Sequence, residues 1–130
     1  MRKRFALLVI VFVVLLSAPL WSQQVTDPAL ESYAAPEGLA TLIEEGETQY
    51  MLVDVRTAME YDSGHIPTAI NVPYQQIAEE LPETEGNPVI IVYCRSGTRS
   101  GIAYDTLRSE GYERLVDFGG IYRWKGALKQ

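Results

Sequence analysis

The sequence has a single cysteine, Cys94, in 130 residues. This excludes an intramolecular disulfide framework, a multi-cysteine zinc site, and a dithiol redox centre with its resolving partner in the same chain. Cations are also scarce, with 11 Lys and Arg against 17 Asp and Glu and a formal net charge of −6. Arg2, Lys3 and Arg4 all precede the first apolar run, so the rest of the chain is more acidic still. Phosphate binding needs a basic face, and nucleic acid is therefore disfavoured as a partner. There is one histidine, His65, and no internal repeat or low-complexity tract. What is present, 47% hydrophobic and 22% charged residues, suits one globular domain.

Residues 1–22 read as an export signal: the three cations, then the apolar run 5–16, then Ser17 to Ser22 leading into a polar stretch. The run is shorter than the roughly 20 residues of a permanent membrane helix, and Pro19 disfavours extending it. The expectation is an exported domain, periplasmic or secreted, starting near Gln23; the alternative is a retained anchor that leaves the domain facing outside the cytoplasm. Leu20 makes the cleavage site imperfect, since a small residue is favoured there. In an oxidising compartment an unpaired cysteine is either buried or kept for its reactivity.

Residues 23–35 read as a leader with a short edge strand near 32–34, and residues 36–130 as the folded domain. Pro36 suits a helix start, Leu39, Leu42 and Ile43 follow at helical spacing, and Gly46 stops them. The pattern then predicts strands at 50–55, 70–72, 89–93 and 114–118. Short helices are predicted at 74–81, 98–110 and 121–128. Residues 89–93, Val-Ile-Ile-Val-Tyr, are apolar throughout and mark a central strand covered on both faces. Strands alternating with helices indicate an α/β fold with a mostly parallel sheet. Ligands in such sheets bind beyond the carboxyl ends of the strands, and Cys94 stands there.

The segment Cys94-Arg95-Ser96-Gly97-Thr98-Arg99-Ser100 joins that strand to a helix. The first N–H groups of a helix lack intrahelical partners and carry the positive end of its dipole, so such a loop can cradle an anion. Arg95 and Arg99 add fixed positive charge, and Gly97 allows close backbone approach. A thiol held there should ionise and act as a nucleophile near neutral pH. The plainer reading of Cys94 is a small buried hydrophobe at a strand end. Two arginines, a glycine and three hydroxyl residues within six positions favour reactivity.

Several motifs together resemble the rhodanese family of sulfurtransferases. Asp54-Val55-Arg56 followed by Glu60-Tyr61 resembles its opening signature. Gly64-His65-Ile66-Pro67 with Ala69-Ile70-Asn71-Val72-Pro73 resembles the second, the cysteine loop resembles the active-site loop, and Gly119-Gly120-Ile121 with Trp124 resembles the closing motif. The resemblance implies a three-layer α/β/α domain around a mostly parallel five-stranded sheet, and a ping-pong reaction without cofactor or metal. Cys94 would take sulfane sulfur from a donor such as thiosulfate as a persulfide. The N–H groups from Arg95 to Ser100, including Ser96, Gly97 and Thr98, would stabilise that anion, and Arg95 and Arg99 would hold the donor. Cyanide or a thiol would then discharge it. Two departures stand out: Thr68 replaces a glycine usual in that turn, and Tyr104 replaces a small residue of the following helix.

Asp54, Arg56, Glu60 and His65 read as supporting or structural residues. Arg56 is expected to pair with Glu60 and tie down the loop after it. His65 is expected to hydrogen-bond backbone within its tight turn. Trp124 and Tyr122 are expected to close the core or the pocket edge, and the acidic stretch 79–85 to be a solvated face. Phosphatases and arsenate reductases of the same fold form one rival class. Their loop runs C-x5-R, whereas Cys94 to Arg99 is C-x4-R, a smaller cradle. A sulfur-carrying or protein-binding module without turnover is the other alternative.

Overall fold

The computed structural model describes residues 27–130; the expected export segment lies outside the described residues. Strands β1 (Tyr50–Asp54), β2 (Ile70–Asn71), β3 (Val89–Cys94) and β4 (Leu115–Gly120) form one sheet in the order β2-β1-β3-β4, with every neighbouring pair parallel. The helices are α1 (Pro28–Tyr33), α2 (Pro36–Glu45), α3 (Ala58–Ser63), α4 (Ile77–Glu80) and α5 (Thr98–Ser109). All six residues of β3 are buried, and they sort by the twofold period of a strand. Val89, Ile91 and Tyr93 pack with Leu39 and Leu42 of α2. Ile90, Val92 and Cys94 pack with Ile77 of α4 and with Ala103 and Leu107 of α5. The sheet is thus covered on both faces, in three layers.

The expected count of five strands is corrected to four among the described residues. Residues 32–34, expected as an edge strand, instead end helix α1 and its cap. The Asp27 carboxylate accepts from the Ala29 N–H at 3.0 Å and Pro28 opens the helix, a start signal that outweighs the weak strand pattern. Leu30 and Tyr33 pack against the core, so this part of the expected leader belongs to the folded body. α2 follows the expected limits: Pro36 begins it and Gly46 ends it in the left-handed conformation, φ +61°. The expected helix 74–81 is split into a 3₁₀ turn (Tyr74–Gln76) and α4.

The chain after Arg56, expected as a loop, is helix α3. Thr57 accepts from the Glu60 N–H at 3.2 Å and the Glu60 carboxylate accepts from the Thr57 N–H at 3.0 Å, a reciprocal cap. The expected helix at 121–128 shrinks to a 3₁₀ turn (Ile121–Arg123). Trp124 packs its ring on the core and donates its indole N–H to Ala127 O at 3.2 Å, and Gly126 disfavours a helix, so the tail runs extended. Lys129 then pairs with His65 through two backbone hydrogen bonds of 2.9 Å.

The two departures are accommodated. Thr68 takes φ +73°, the backbone a glycine would adopt, at a cost of about 1–2 kcal/mol for an L side chain. Its hydroxyl lies 3.0 Å from the Tyr50 hydroxyl, which partly offsets that cost. Tyr104 is half-buried at the edge of the α5 layer, while the smaller Ala103 and the aliphatic Leu107 make the contact with the sheet.

The pairing expected between Arg56 and Glu60 is replaced by a buried pair between Arg56 and Asp54. The Asp54 carboxylate receives the Arg56 N–H at 2.9 Å, Nε at 2.9 and 3.0 Å, and Nη2 at 2.6 Å. Nη2 also donates to Gly64 O at 2.7 Å. Side-chain spacing of two along an extended chain allows this closed ring, and it satisfies a carboxylate that is 0% exposed. Arg56→Ala would leave that carboxylate buried without its partner. The expected loss is about 3–5 kcal/mol of stability, measurable by denaturant unfolding.

Candidate active site

Cys94 is the last residue of β3 and is fully buried. Beyond it the chain turns through Gly97, which adopts φ +105° and whose N–H donates to the Cys94 Sγ at 3.0 Å, and α5 begins. The Ser100 hydroxyl lies 3.6 Å from the same sulfur and donates to Gly97 O at 3.1 Å. A hydroxyl hydrogen has one direction at a time, so it can serve the carbonyl beside a thiol and turn to the sulfur of a thiolate. Burial pushes the thiol pKa up more than any one neighbour pulls it down. The Ser100 hydroxyl and the backbone N–H groups of Ser100, Gly97 and Ser96 together outweigh burial, and the pKa falls below its ordinary value. Arg95, Ser96 and Thr98 are exposed above the sulfur, and Ser100 is buried beside it.

The end of β4 supports this loop. The pairing of β3 with β4 slips between Val92 and Tyr93, leaving Phe118 as the extra residue and placing Gly120 opposite Cys94. Gly119 adopts φ +85°, and its N–H donates to the Asp117 carboxylate at 2.9 Å. A Cβ on Gly120 would lie 2.7 Å from the Arg95 carbonyl, so only glycine lets the two segments approach. The Gly119-Gly120 pair was legible as a closing motif, but its contact with Arg95 was not.

The two arginines of the loop differ. Arg99 gives Nη1 to Glu60 Oε2 at 2.7 Å and Nη2 to Oε1 at 2.9 Å, a bidentate pair between α5 and α3. Arg95 is exposed and makes no ion pair among the described residues. Glu60 is held below the usual carboxylate range, at about 2, chiefly by the Arg99 hydrogen bonds and further by Thr57.

Loop residues 94–100 thus lie together, and Glu60 joins them through Arg99. Asp54 and Arg56 form the buried brace already described. The phenol of Tyr93, which accepts the Ile66 N–H at 3.1 Å, and Asn71, whose amide donates to the Asp54 and Arg56 carbonyls at 3.0 Å, complete that brace. Neither stood out in the sequence; the Thr57-x-x-Glu60 spacing was the one legible sign of the cap. The His65 Nδ1 lies 3.1 Å from Tyr61 O, and its ring stacks on Tyr61 at 3.9 Å. Trp124 packs against the core, whereas Tyr122 is 72% exposed and does not close it. The Tyr122 ring lies over Gly120, at the edge of the cysteine loop. Residues 79 and 80 are exposed acids, as expected of a solvated face.

Ser100→Ala should raise the Cys94 pKa, seen as an upward shift in the pH midpoint of alkylation by iodoacetamide. A pKa depressed in the folded state means that the Glu60 pair contributes stability above the ordinary value of 4.5 and loses it as pH falls towards about 2. The stability gap between the native chain and Glu60→Gln should therefore stay constant from about pH 7 to 5 and close below about pH 4.5, measured by chemical denaturation across that range.

Comparison with known proteins agrees with this arrangement. Residues 35–127 match the model of the rhodanese-like domain. A sulfurtransferase of Allochromatium vinosum is 39% identical over 75 residues, covering 57% of this chain and 70% of that protein. The thiosulfate sulfurtransferase PspE of Escherichia coli is 32% identical over 71 residues, covering 53% of this chain and 68% of that protein. A crystal structure of a protein from Anabaena sp. is similar with a TM-score of 0.67 at 25% identity, over 73% of this chain and 80% of that one. With Cys94 at the carboxyl end of a central parallel strand and the family match spanning most of the chain, the protein belongs to the rhodanese-like sulfurtransferase family.

Proposed function

We propose that this domain is a sulfurtransferase of the thiosulfate type, with Cys94 as the nucleophile. The observation that carries the reading is the Gly97 N–H at 3.0 Å from a buried sulfur that also has the Ser100 hydroxyl and the Ser96 and Ser100 N–H groups around it. Such surroundings favour the anion and offer no base to reprotonate it. The Cys94 thiolate attacks the outer sulfur of thiosulfate, the S–S bond of the donor breaks with its electron pair, and sulfite leaves. The new S–S bond is a Cys94 persulfide, an anion suited to the N–H groups of the loop. Cyanide or a thiolate then attacks the outer sulfur, releasing thiocyanate or a new persulfide and restoring the Cys94 thiolate. No proton need move in either displacement between anions, which fits a site where His65 is occupied elsewhere.

Burial of Cys94 favours a small donor, and exposed Arg95 at the loop favours an anionic one. Arsenate reduction and phosphate-ester hydrolysis are less well supported, because the C-x4-R loop is short and its arginine is engaged by Glu60. The basic start and the apolar run at residues 5–16 support an exported location, periplasmic or secreted.

Reduced protein incubated with thiosulfate and freed of excess donor should gain one sulfur on Cys94 by intact mass spectrometry, and cyanide should release it as thiocyanate. Cys94→Ser should abolish both while leaving the unfolding midpoint nearly unchanged. A folded, reduced chain that stays unmodified would overturn thiosulfate as donor, and persulfide loading in Cys94→Ser would overturn the mechanism.

A further inference from the structure

Glu60 has a place in this site that a purely structural cap would not need. Its carboxylate is fixed at the start of α3, where Oε2 accepts from both the backbone N–H and the hydroxyl of Thr57 at 3.0 Å. Both of its oxygens then face both terminal nitrogens of Arg99, the second residue of α5 and five residues beyond Cys94. The fork of the guanidinium is filled, so Arg99 has no terminal N–H pair left to offer an incoming anion in the same geometry. The pair remains partly open to solvent, with side-chain exposures of 26% and 29%, so its charges act on the mouth of the loop and are screened by salt.

We propose that Glu60 is a specificity-determining residue that tunes the charge met by an anionic sulfur donor, masking Arg99 and leaving Arg95 as the cation of the cysteine loop free to attract it. This deepens the sulfurtransferase reading and rests on it for the identity of the donor. The charge count around the loop then gives a definite order. Counting only Arg95, Arg99 and Glu60, the native chain leaves one charge uncompensated, that of Arg95. Glu60→Gln unmasks Arg99 and adds a positive charge. Arg99→Ala unmasks the Glu60 carboxylate and cancels Arg95. The double variant removes both members and returns the native balance. A role confined to holding α3 against α5 makes the opposite demand, since every variant that breaks the pair would be impaired and the double variant would be no better than Arg99→Ala.

The local charge can be read without turnover, by comparing alkylation of Cys94 with anionic iodoacetate and with neutral iodoacetamide in the full chain. The ratio of the two rates cancels changes in thiolate fraction and responds to the potential at the sulfur. At low ionic strength the ratio should rise about threefold or more in Glu60→Gln and fall about threefold or more in Arg99→Ala. It should return to within about twofold of native in the double variant, and the spread should shrink at about 1 M salt. The catalytic efficiency of persulfide loading by thiosulfate should follow the same order. A fall of the ratio in Glu60→Gln, or a double variant no better than Arg99→Ala, would overturn the proposal. Absence of loading by thiosulfate with the ratios in the stated order would instead remove only the assignment of the donor. Unfolding midpoints of the four proteins identify any variant whose ratio reflects loss of fold, and the double variant, which leaves neither charge unpaired, keeps the comparison decisive.

Discussion

The Asp54–Arg56 ion pair lies out of solvent and joins β1 to β2, to β3 and to the end of α3 at the functional end of the sheet. Asp54 ends β1, and its carboxylate closes on the guanidinium two residues later. Arg56 then reaches Gly64 at the end of α3 and lies 5.8 Å from the ring centre of Tyr93, the neighbour of Cys94 on β3. The Tyr93 hydroxyl accepts the Ile66 N–H, and Asn71 on β2 holds the backbone on both sides of the pair. Taking two charges out of water is costly, and the cost is tolerated here because Nε and Nη2 make short bonds to the carboxylate and no fully buried side-chain nitrogen or oxygen among the described residues lacks a partner. The consequence is a rigid floor in which β1, β2, β3 and the turn at His65 share one hydrogen-bonded knot.

On that floor the cysteine loop is organised by backbone rather than by a catalytic side chain. Alternation along β3 turns Tyr93 to the knot and Cys94 to the opposite face, under α5. The slipped pairing with β4 brings Gly119 and Gly120 close enough to wall the loop, and neither position tolerates a bulky residue without displacing the Arg95 segment or the left-handed turn. What stabilises negative charge on sulfur is therefore a set of N–H groups and one hydroxyl. Their directions follow from where the strand stops and the helix starts. The N–H donors among them are fixed by the backbone before any charge forms on the sulfur.

Charge at the rim is arranged by a second, more exposed pair. Glu60 both caps α3 and occupies Arg99, so the positive charge nearest the helix start is compensated while Arg95 is not. The two ion pairs have different work. The buried one specifies geometry, whereas the partly solvated one sets the field near the loop and is open to salt.

Much of this was legible in the residues alone because it follows from local chemistry. The uninterrupted apolar run of β3, the proline and glycine that bound α2, and the concentration of small and basic residues after Cys94 each have a short-range physical meaning. Together they located the central strand and the reactive loop. The Thr57-x-x-Glu60 cap was equally local and was obscured by the plausible pairing of Glu60 with Arg56. The tertiary structure decided which charges met: Asp54 with Arg56 and Glu60 with Arg99. Sequence separation says nothing about the direction in which a long side chain leaves its element, and Glu60 and Arg99, 39 positions apart, are brought together only by packing α3 beside the start of α5. The tail beyond Arg123 was likewise settled by burial of Trp124 and pairing of Lys129 with His65, contacts worth more to those residues than a weak helical preference. The central strand and the position of the cysteine loop could be read from the residues, since these depend on residue type and period. Packing decided the pairing of Glu60 with Arg99 and the course of the C-terminal tail, since these depend on distances across the fold.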